Sequence, residues 1–382
     1  VHALDMETGR QVLKAPGPRS GIMNGDSATI HAAEGVLLGA VQDELNRLPY
    51  EGNNKIYAMN ATDGRPLWDF RIEGVVWNFM PSTPGDGTFL FATGCGVAAS
   101  HRLADGGLIW RSALPEPGPW CSTGGGTLGP NGVFYVEGNW FTEDAAKTEP
   151  LKGVAPCHPG DCPLGHGLLI AHRARDGEIL WARRIRQGFG AYQYPTVAEI
   201  GGRLTVVTGV GENPLLPTLH GEKFLPNLVR IALSRLQLRS GLLRRLMGIP
   251  VKRNALATFD AETGELLWFV EEEPWSYHSA IGDEEKLFER YARMMREPRH
   301  EPACGPDNWG IPAVTGDGTI LMSSGSTGKL YAVRDANGDG HIRVDEEVSM
   351  LDTKHPFLNG PALAPGMLAV APCWGKMYVF KS

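Results

Sequence analysis

Residues 335–346 carry oxygen-bearing side chains at the spacing of a calcium-binding loop. Calcium prefers about six to eight oxygen ligands, and such a loop supplies them from carboxylates, an amide and a backbone carbonyl. Gly340 stands where the loop must turn sharply, and Ile342 is the apolar residue that follows. The predicted ligands are Asp335, Asn337, Asp339, the backbone carbonyl of His341, and Glu346 as a bidentate carboxylate.

This loop resembles an EF-hand loop, but the sequence around it does not predict the usual pair of flanking helices. The loop replaces a turn between two predicted strands. Calcium bound there would therefore be structural, because no helix pair is available to open. The alternative is an acidic hairpin turn that binds no metal.

A second group of metal-binding residue types consists of Cys157, His158, Cys162 and His166. Structural zinc sites use four nitrogen or sulfur ligands, and a complete set of four is not identified here. A local disulfide between Cys157 and Cys162 explains the same residues. In an oxidising compartment we favour the disulfide.

Aromatic side chains stand beside polar ones where several predicted inner strands begin. A concave site lined by aromatic rings with a few polar groups is typical of small-ligand binding. The alternative is that these residues cap a central channel and pack beneath longer loops. The predicted ligand-binding or cofactor-binding residues are Trp77, Asn78, Tyr192, Gln193, Asp307, Asn308 and Trp309.

A sequence repeat positions these candidates and covers nearly the whole chain. Each copy has an apolar run, a short turn ending in glycine, and usually an aliphatic residue followed by tryptophan. Glycine supplies the positive φ of a hairpin turn, so each copy predicts a β-hairpin. With two shorter runs upstream, the unit is four antiparallel strands, A to D. Radial repetition of such sheets predicts an all-β propeller.

The phrase Ala-x-Asp-x-x-Thr-Gly-x-x-x-Trp resembles the pyrroloquinoline-quinone (PQQ) repeat of the quinoprotein alcohol dehydrogenase-like propellers. This resemblance implies that the tryptophans dock between blades, and that eight blades are common. The residues that carry it are Ala3, Asp5, Thr8 and Gly9; Ala58, Gly64 and Trp68; Gly106 and Trp110; Gly177 and Trp181; and Ala257, Asp260, Thr263, Gly264 and Trp268.

The repeats predict one propeller domain over residues 1–382. Five full units lie between about residues 26 and 351, with a C/D remnant at 1–13 and an A/B/C remnant at 359–382. Seven blades close if the remnants merge, and eight close if a further piece is missing. Because the sequence begins inside a repeat, we expect an N-terminally truncated chain.

Most of the extra length falls in loops that share one face, the B–C and D–A connections. We call this the elaborated face. Its main insertions are residues 139–166, 211–254 and 271–305, of which the last two have helical character. Loops on a rigid scaffold commonly carry function, so a small ligand or a protein partner is expected there.

The resemblance also implies an alternative function, a PQQ-dependent dehydrogenase. The dehydrogenases of that family are longer and carry a disulfide between adjacent cysteines, whereas this sequence has no adjacent cysteine pair. By location alone, Glu137 with Asn139 and Asp307 with Asn308 are candidates for its calcium-binding and catalytic groups. Whether the protein is an enzyme stays open. The interpretation we favour is a ligand- or protein-binding scaffold with a structural calcium ion.

The amino-acid composition excludes further classes of protein. The formal net charge is −7 and 42% of residues are hydrophobic, which is typical of a globular protein and argues against a nucleic-acid surface. No apolar window of about 18 residues predicts a transmembrane segment. The first residues contain no targeting signal, which leaves the compartment open; of the compartments, we favour a secreted, periplasmic or lumenal location.

Overall fold

The computed structural model describes residues 1–5, 7–15, 30–42, 53–76, 79–93, 96–113, 125–140, 166–187, 189–212, 229, 242, 246, 251–275, 309–373 and 375–381. Within them the protein is built of antiparallel sheets, and the expected all-β propeller is confirmed. No helix in these ranges is long and apolar enough to cross a membrane.

Five consecutive sheets follow the predicted order A to D, and we call them blades 1 to 5. Blade 1 contains β3 (His31–Ala33), β4 (Val36–Val41), β5 (Asn53–Asn60) and β6 (Pro66–Val76). Blade 2 contains β7 (Thr88–Ala92), β8 (Ala98–Arg102) and β9 (Leu108–Ser112), with a bridge between Ser82 and Leu90 at the A position. Blade 3 contains β10 (Gly126–Leu128), β11 (Val133–Trp140), β12 (His166–Arg173) and β13 (Ile179–Gln187).

Blade 4 has an A strand in two pieces, both paired with its B strand. It contains β14 (Gly190–Ala191), β15 (Thr196–Ile200), β16 (Arg203–Gly211), β17 (Asn254–Asp260) and β18 (Leu266–Glu271). Blade 5 contains β19 (Ala313–Val314), β20 (Ile320–Ser323), β21 (Lys329–Val333) and β22 (Val348–Asp352), with the short helix α1 (Val344–Glu347) before β22.

Two partial sheets flank these blades. One contains β1 (His2–Leu4) and β2 (Gln11–Lys14), and the other contains β23 (Ala362–Ala364), β24 (Met367–Val370) and β25 (Tyr378–Lys381). They match the positions of the two predicted remnants and form separate sheets. The total number of blades, seven or eight, stays a prediction, as do the single-domain boundary and its insertions.

The hydrophobic core lies between the blades. Each of six apolar clusters joins one sheet to the next along the chain. The largest joins blade 3 to blade 4 through side chains such as Tyr135, Trp181, Val206 and Val210. A blade therefore buries its apolar faces only against its neighbours, as in other repeat architectures.

The repeated tryptophan and glycine meet across these interfaces. The Trp68 indole Nε1 donates to the Leu103 carbonyl of blade 2 over 2.9 Å. Its ring covers Gly106, where a Cβ would lie 2.8 Å from the ring and where φ is +71°. Glycine at this position thus allows the positive φ of the turn and leaves space for the tryptophan ring of the preceding blade.

The same arrangement recurs in the next two blades. Trp110 donates to the Ala174 carbonyl over 2.9 Å, and Trp181 donates to the Ala261 carbonyl over 3.2 Å. Trp268 packs in the cluster between blades 4 and 5. All four predicted tryptophans therefore lie at interfaces between blades.

One disulfide involves a described residue, Cys373. The other five cysteines, including the predicted pair Cys157 and Cys162, lie outside the described residues. The backbone N–H of Cys373 also donates to the Pro356 carbonyl over 2.8 Å. This disulfide therefore anchors the segment that follows β24.

Candidate functional site

The candidate site is the elaborated face, where B strands end and A strands begin. The long connections of blades 3 and 4 leave from the ends of β11 and β16, and Val229, Leu242 and Leu246 within the second of them are helical. Several buried polar side chains lie at this end of blades 3 to 5: Glu137, Asn139, Gln193, Asn254, Glu272, Ser324 and Ser326. Buried polar groups require partners, so their hydrogen bonds indicate which of them are structural.

Asn139 connects blade 3 to the first A-strand segment of blade 4. Its side-chain oxygen accepts from the Ala191 N–H over 2.8 Å, and its side-chain nitrogen donates to the Ala191 carbonyl over 3.0 Å. Ala191 is 52 residues further along the chain. The amide of Asn139 is thus fully engaged in holding two blades together.

Glu137 lies on the same strand and side as Asn139 but has no such partner. The residue is fully buried, and neither carboxylate oxygen is in hydrogen-bonding geometry with a donor. Burial raises the pKa of Glu137 well above its usual value, although the nearby Thr208 hydroxyl and Gln193 N–H offset part of this rise. An unpaired buried acid of this kind is a recognised feature of functional sites.

Glu137 should make folding stability dependent on pH. A pKa raised in the folded state means that the folded protein binds a proton more tightly than the unfolded chain. Stability is therefore highest at acidic pH with respect to this group, and it falls as pH rises from the usual glutamate range through the raised pKa. We expect Glu137→Gln to remove this part of the pH dependence and to raise the free energy of unfolding at neutral pH by about 1–3 kcal/mol.

Urea titrations across pH 4 to 9 measure this effect, and the exposed acid variant Glu199→Gln serves as the control. The control should leave the pH profile of stability unchanged. An unchanged profile in Glu137→Gln would contradict the assignment of a raised pKa to this carboxyl.

Trp309, a predicted ligand-site residue, lies between blades 4 and 5. Its indole Nε1 donates to the Val210 carbonyl over 3.2 Å, and its ring meets Tyr331 edge to face at 5.6 Å. Gly209 packs against it so closely that a Cβ there would lie 2.7 Å from the Trp309 ring. The structure thus gives Trp309 a packing role, and its contact with a ligand stays a prediction.

Residues 192–194 lie between the two A-strand segments of blade 4. Tyr194 is buried, and its hydroxyl oxygen accepts the Met80 N–H of blade 2 over 3.2 Å. Burial raises the pKa of Tyr194 to about 12. Gln193 is buried and Tyr192 is partly buried. Tyr194 therefore packs among the inner strands, which agrees with the alternative of channel capping for this residue.

Glu272 accepts four side-chain hydrogen bonds from described residues of this face, and the sequence alone did not identify it. One carboxylate oxygen accepts from Asn254 over 3.1 Å and from Ser324 over 3.2 Å. The other accepts from Thr327 and, over 3.0 Å, from Tyr331. Burial raises the pKa of Glu272, and these four donors oppose the rise.

The calcium-loop prediction falls entirely on described residues. Asp335 accepts from the Gly338 and Gly340 N–H groups over 2.7 and 2.9 Å. Asn337 donates to Asp339 over 3.2 Å, so these two side chains are adjacent. Asp339 also pairs with Arg343 over 2.6 Å. Three predicted ligands therefore occupy one turn.

The two glutamates that end this loop behave differently. Glu347 folds back, and its carboxylate accepts the N–H groups of Ala336 and Arg343 over 2.9 and 2.8 Å. Glu346 and His341 are exposed. In the described part of the chain, no three acidic, histidine or cysteine side chains gather closely enough to hold a metal. The EF-hand character of the loop thus stays a prediction.

The other predicted site residues, Trp77, Asn78, Asp307 and Asn308, lie outside the described residues. The same is true of Cys157, His158 and Cys162. For the described candidates, the structure brings Glu137, Asn139 and Gln193 together between blades 3 and 4. It places Trp309 in the separate interface between blades 4 and 5.

Comparison with known proteins agrees with the fold. The chain matches no family model and no curated protein sequence. A europium-containing methanol dehydrogenase superposes with a TM-score of 0.52 at 11% identity, covering 97% of this chain and 70% of that one. The quinohemoprotein alcohol dehydrogenase ADHIIG from Pseudomonas putida HK5 gives a TM-score of 0.50 at 13% identity, covering 100% and 61%.

A third solved structure, BamB from Moraxella catarrhalis, gives a TM-score of 0.41 at 12% identity, with 97% of this chain and 94% of that one covered. At such identities the similarity defines the fold. The chain is a β-propeller, and its architecture is shared with quinoprotein alcohol dehydrogenases.

Proposed function

We propose that this protein is a binding scaffold, a propeller that holds a ligand or a protein partner on its elaborated face. One observation carries the proposal. The described polar and aromatic groups at this end of blades 3 to 5 mostly bond from one blade to the next, as Asn139, Glu272 and Trp309 do. Such bonds make a rigid platform, and a rigid platform that carries long loops is suited to recognition.

Site-specific photocrosslinking tests this proposal. A photoreactive residue at Leu246, an exposed position within the blade 4 insertion, should give adducts in extracts of the native host. A photoreactive residue in place of Glu262, an exposed turn position between strands C and D, should give no adducts, because that turn lies on the opposite face. Equal crosslinking at both positions would contradict a binding face.

The second candidate function is a PQQ-dependent dehydrogenase, and Glu137 is the observation that favours it. A buried carboxylate whose oxygens have no donor in good hydrogen-bonding geometry is a suitable ligand for the hard cation that accompanies PQQ, and the cofactor itself would accept electrons from an alcohol. The neighbouring amide does not fit this role, because both of its polar atoms bond to Ala191. Of these two neighbouring residues, only Glu137 thus fits a cation site for PQQ. We therefore prefer the binding scaffold to the dehydrogenase.

Addition of PQQ and calcium to the purified protein distinguishes the two functions. A binding scaffold should show neither a bound-quinone absorbance nor dye-linked alcohol oxidation. Turnover that is lost in Glu137→Gln would instead establish the dehydrogenase.

A structural calcium ion at the 335–346 loop is part of the proposal. Its support is the set of side-chain oxygens on Asp335, Asn337 and Asp339 within one turn of blade 5. Calcium bound only to the folded state should raise the melting temperature, and above the dissociation constant the stabilisation should grow with the logarithm of the calcium concentration. We expect Glu346→Gln to abolish this rise.

Glu347→Gln is the matched control for the calcium experiment. It should lower the melting temperature with and without calcium, because Glu347 caps two backbone N–H groups. It should leave the rise caused by calcium in place. A melting curve of the unmodified protein that does not respond to calcium would show that the loop is an acidic turn.

An oxidising compartment, secreted or periplasmic, completes the proposal. The disulfide of Cys373 supports it, because disulfides persist outside the cytosol. Mass spectrometry of the alkylated, non-reduced protein purified from its host measures this bond. A fully alkylated Cys373 would contradict the assignment.

A further inference from the structure

Two buried residues at the outer part of the elaborated face carry hydrogen-bond donors that have no acceptor among the described residues. Lys252 precedes strand C of blade 4 and Trp275 follows strand D, and their backbones form an antiparallel bridge. The Lys252 N–H donates to the Trp275 carbonyl over 2.7 Å, and the Trp275 N–H donates to the Lys252 carbonyl over 3.0 Å. Directly paired residues project their side chains to the same side of a sheet, so the ammonium and the indole are neighbours.

Neither side chain finds a partner in the described part of the protein. The indole Nε1 of Trp275 is buried and forms no hydrogen bond, and the residue is 3% exposed. Lys252 is 8% exposed, and no hydrogen bond or ion pair of its ammonium is found among the described residues. A buried donor without an acceptor costs about 1–3 kcal/mol, so an acceptor placed here gains affinity.

Among the described charged residues around this pair, the neighbours of Lys252 are paired with one another and Lys252 is not. Arg253 is paired with Glu212 over 3.2 Å. Glu273 is paired with Lys329 over 2.8 Å, and Glu271 lies 3.7 Å from Arg186. Burial lowers the pKa of Lys252, and the more distant Glu212 opposes this only in part. The ammonium is therefore desolvated, and Glu212 compensates for this only in part.

We infer that Lys252 and Trp275 form a binding site for a carboxylate. An ammonium and an indole N–H offer separate donors to the two oxygens of one carboxylate group. The preceding residue, Val251, is 62% exposed, so this bridge lies near the protein surface. This site would make a carboxylate the ligand of the elaborated face. The inference rests on the proposed function only in taking that face as the place where the ligand binds.

Lys55 shows what an equally buried lysine does when it has a partner. It is also 8% exposed, lies in blade 1, and its ammonium is 2.9 Å from Asp69. The two lysines thus match in burial and differ in their charge environment. Lys55→Gln is therefore the control variant for Lys252→Gln.

Titration with acetate at constant ionic strength, followed by the tryptophan indole resonances of the ¹⁵N-labelled protein, tests the site. Trp275→Phe identifies the Trp275 signal. We expect that signal to shift saturably with acetate, and Lys252→Gln to weaken binding about tenfold or more, through loss of a charge-assisted bond. Lys252→Arg should keep the response, and Lys55→Gln should leave it unchanged.

Three further probes define the source of the carboxylate. Tighter binding of succinate than of a tri-glutamate peptide indicates a free organic acid, and the reverse order indicates an acidic segment of a protein; either result supports the site. Tighter binding of inorganic phosphate would overturn the carboxylate class. A Trp275 signal that ignores acetate, or that responds equally in Lys252→Gln, would overturn the site, while the crosslinking test of the face would be unaffected.

Discussion

Replacement of Trp110 by alanine should destabilise the protein by about 3–5 kcal/mol, the range observed when a large aromatic side chain is removed from a core. The Trp110 ring packs in the cluster between blades 2 and 3, and its indole donates to Ala174 over 2.9 Å. It also covers Gly177, where a Cβ would lie 2.5 Å from the ring. Chemical denaturation followed by circular dichroism measures the loss.

Ile109→Ala is the matched control for this experiment. Ile109 is the preceding residue and is 44% exposed, so its truncation should cost less than about 1 kcal/mol. Equal losses in the two variants would contradict docking between blades. The double variant Trp110→Ala with Gly177→Ala adds a second test. In the double variant the new Cβ of Gly177→Ala no longer clashes with the Trp110 ring, while the strain of its positive φ remains. The losses of stability in the two single variants should therefore not add.

The second large effect is expected at Glu272. Glu272→Ala should destabilise the protein by about 3 kcal/mol or more, because it leaves donors from Asn254, Ser324, Thr327 and Tyr331 without their acceptor between blades 4 and 5. Removal of the buried carboxylate also removes its desolvation cost, which offsets part of this loss. Glu272→Gln keeps one acceptor oxygen and should cost less.

Glu273→Ala, one residue further, is the control for Glu272→Ala. Glu273 is exposed and pairs with Lys329 at the surface, and such pairs contribute about 0–1 kcal/mol. Urea midpoints of the two alanine variants give the comparison. A similar small loss in both would mean that the four hydrogen bonds of Glu272 contribute little to the contact between blades 4 and 5.

Features that depend on neighbouring residues could be predicted from the sequence. Glycine in a short turn, alternating apolar residues on either side and tryptophan at a constant distance specify a hairpin locally, and their repetition predicts the propeller. The structure confirms the all-β propeller and places Trp68, Trp110, Trp181 and Trp268 between blades. The repeat also predicts that the long insertions attach to one face.

The character of the candidate site depended on contacts that the repeat does not encode. Glu137 and Asn139 have equivalent positions in the strand pattern, yet one is unpaired and the other is doubly bonded to Ala191, 52 residues away. Glu272 stands in a run of three acids that is typical of a solvated surface, yet one donor from blade 4 and three from blade 5 bond to its carboxylate. Alternation along a strand determines which side of a sheet a residue occupies, whereas the partner on that side comes from another blade, and only the tertiary structure decides which residue it is.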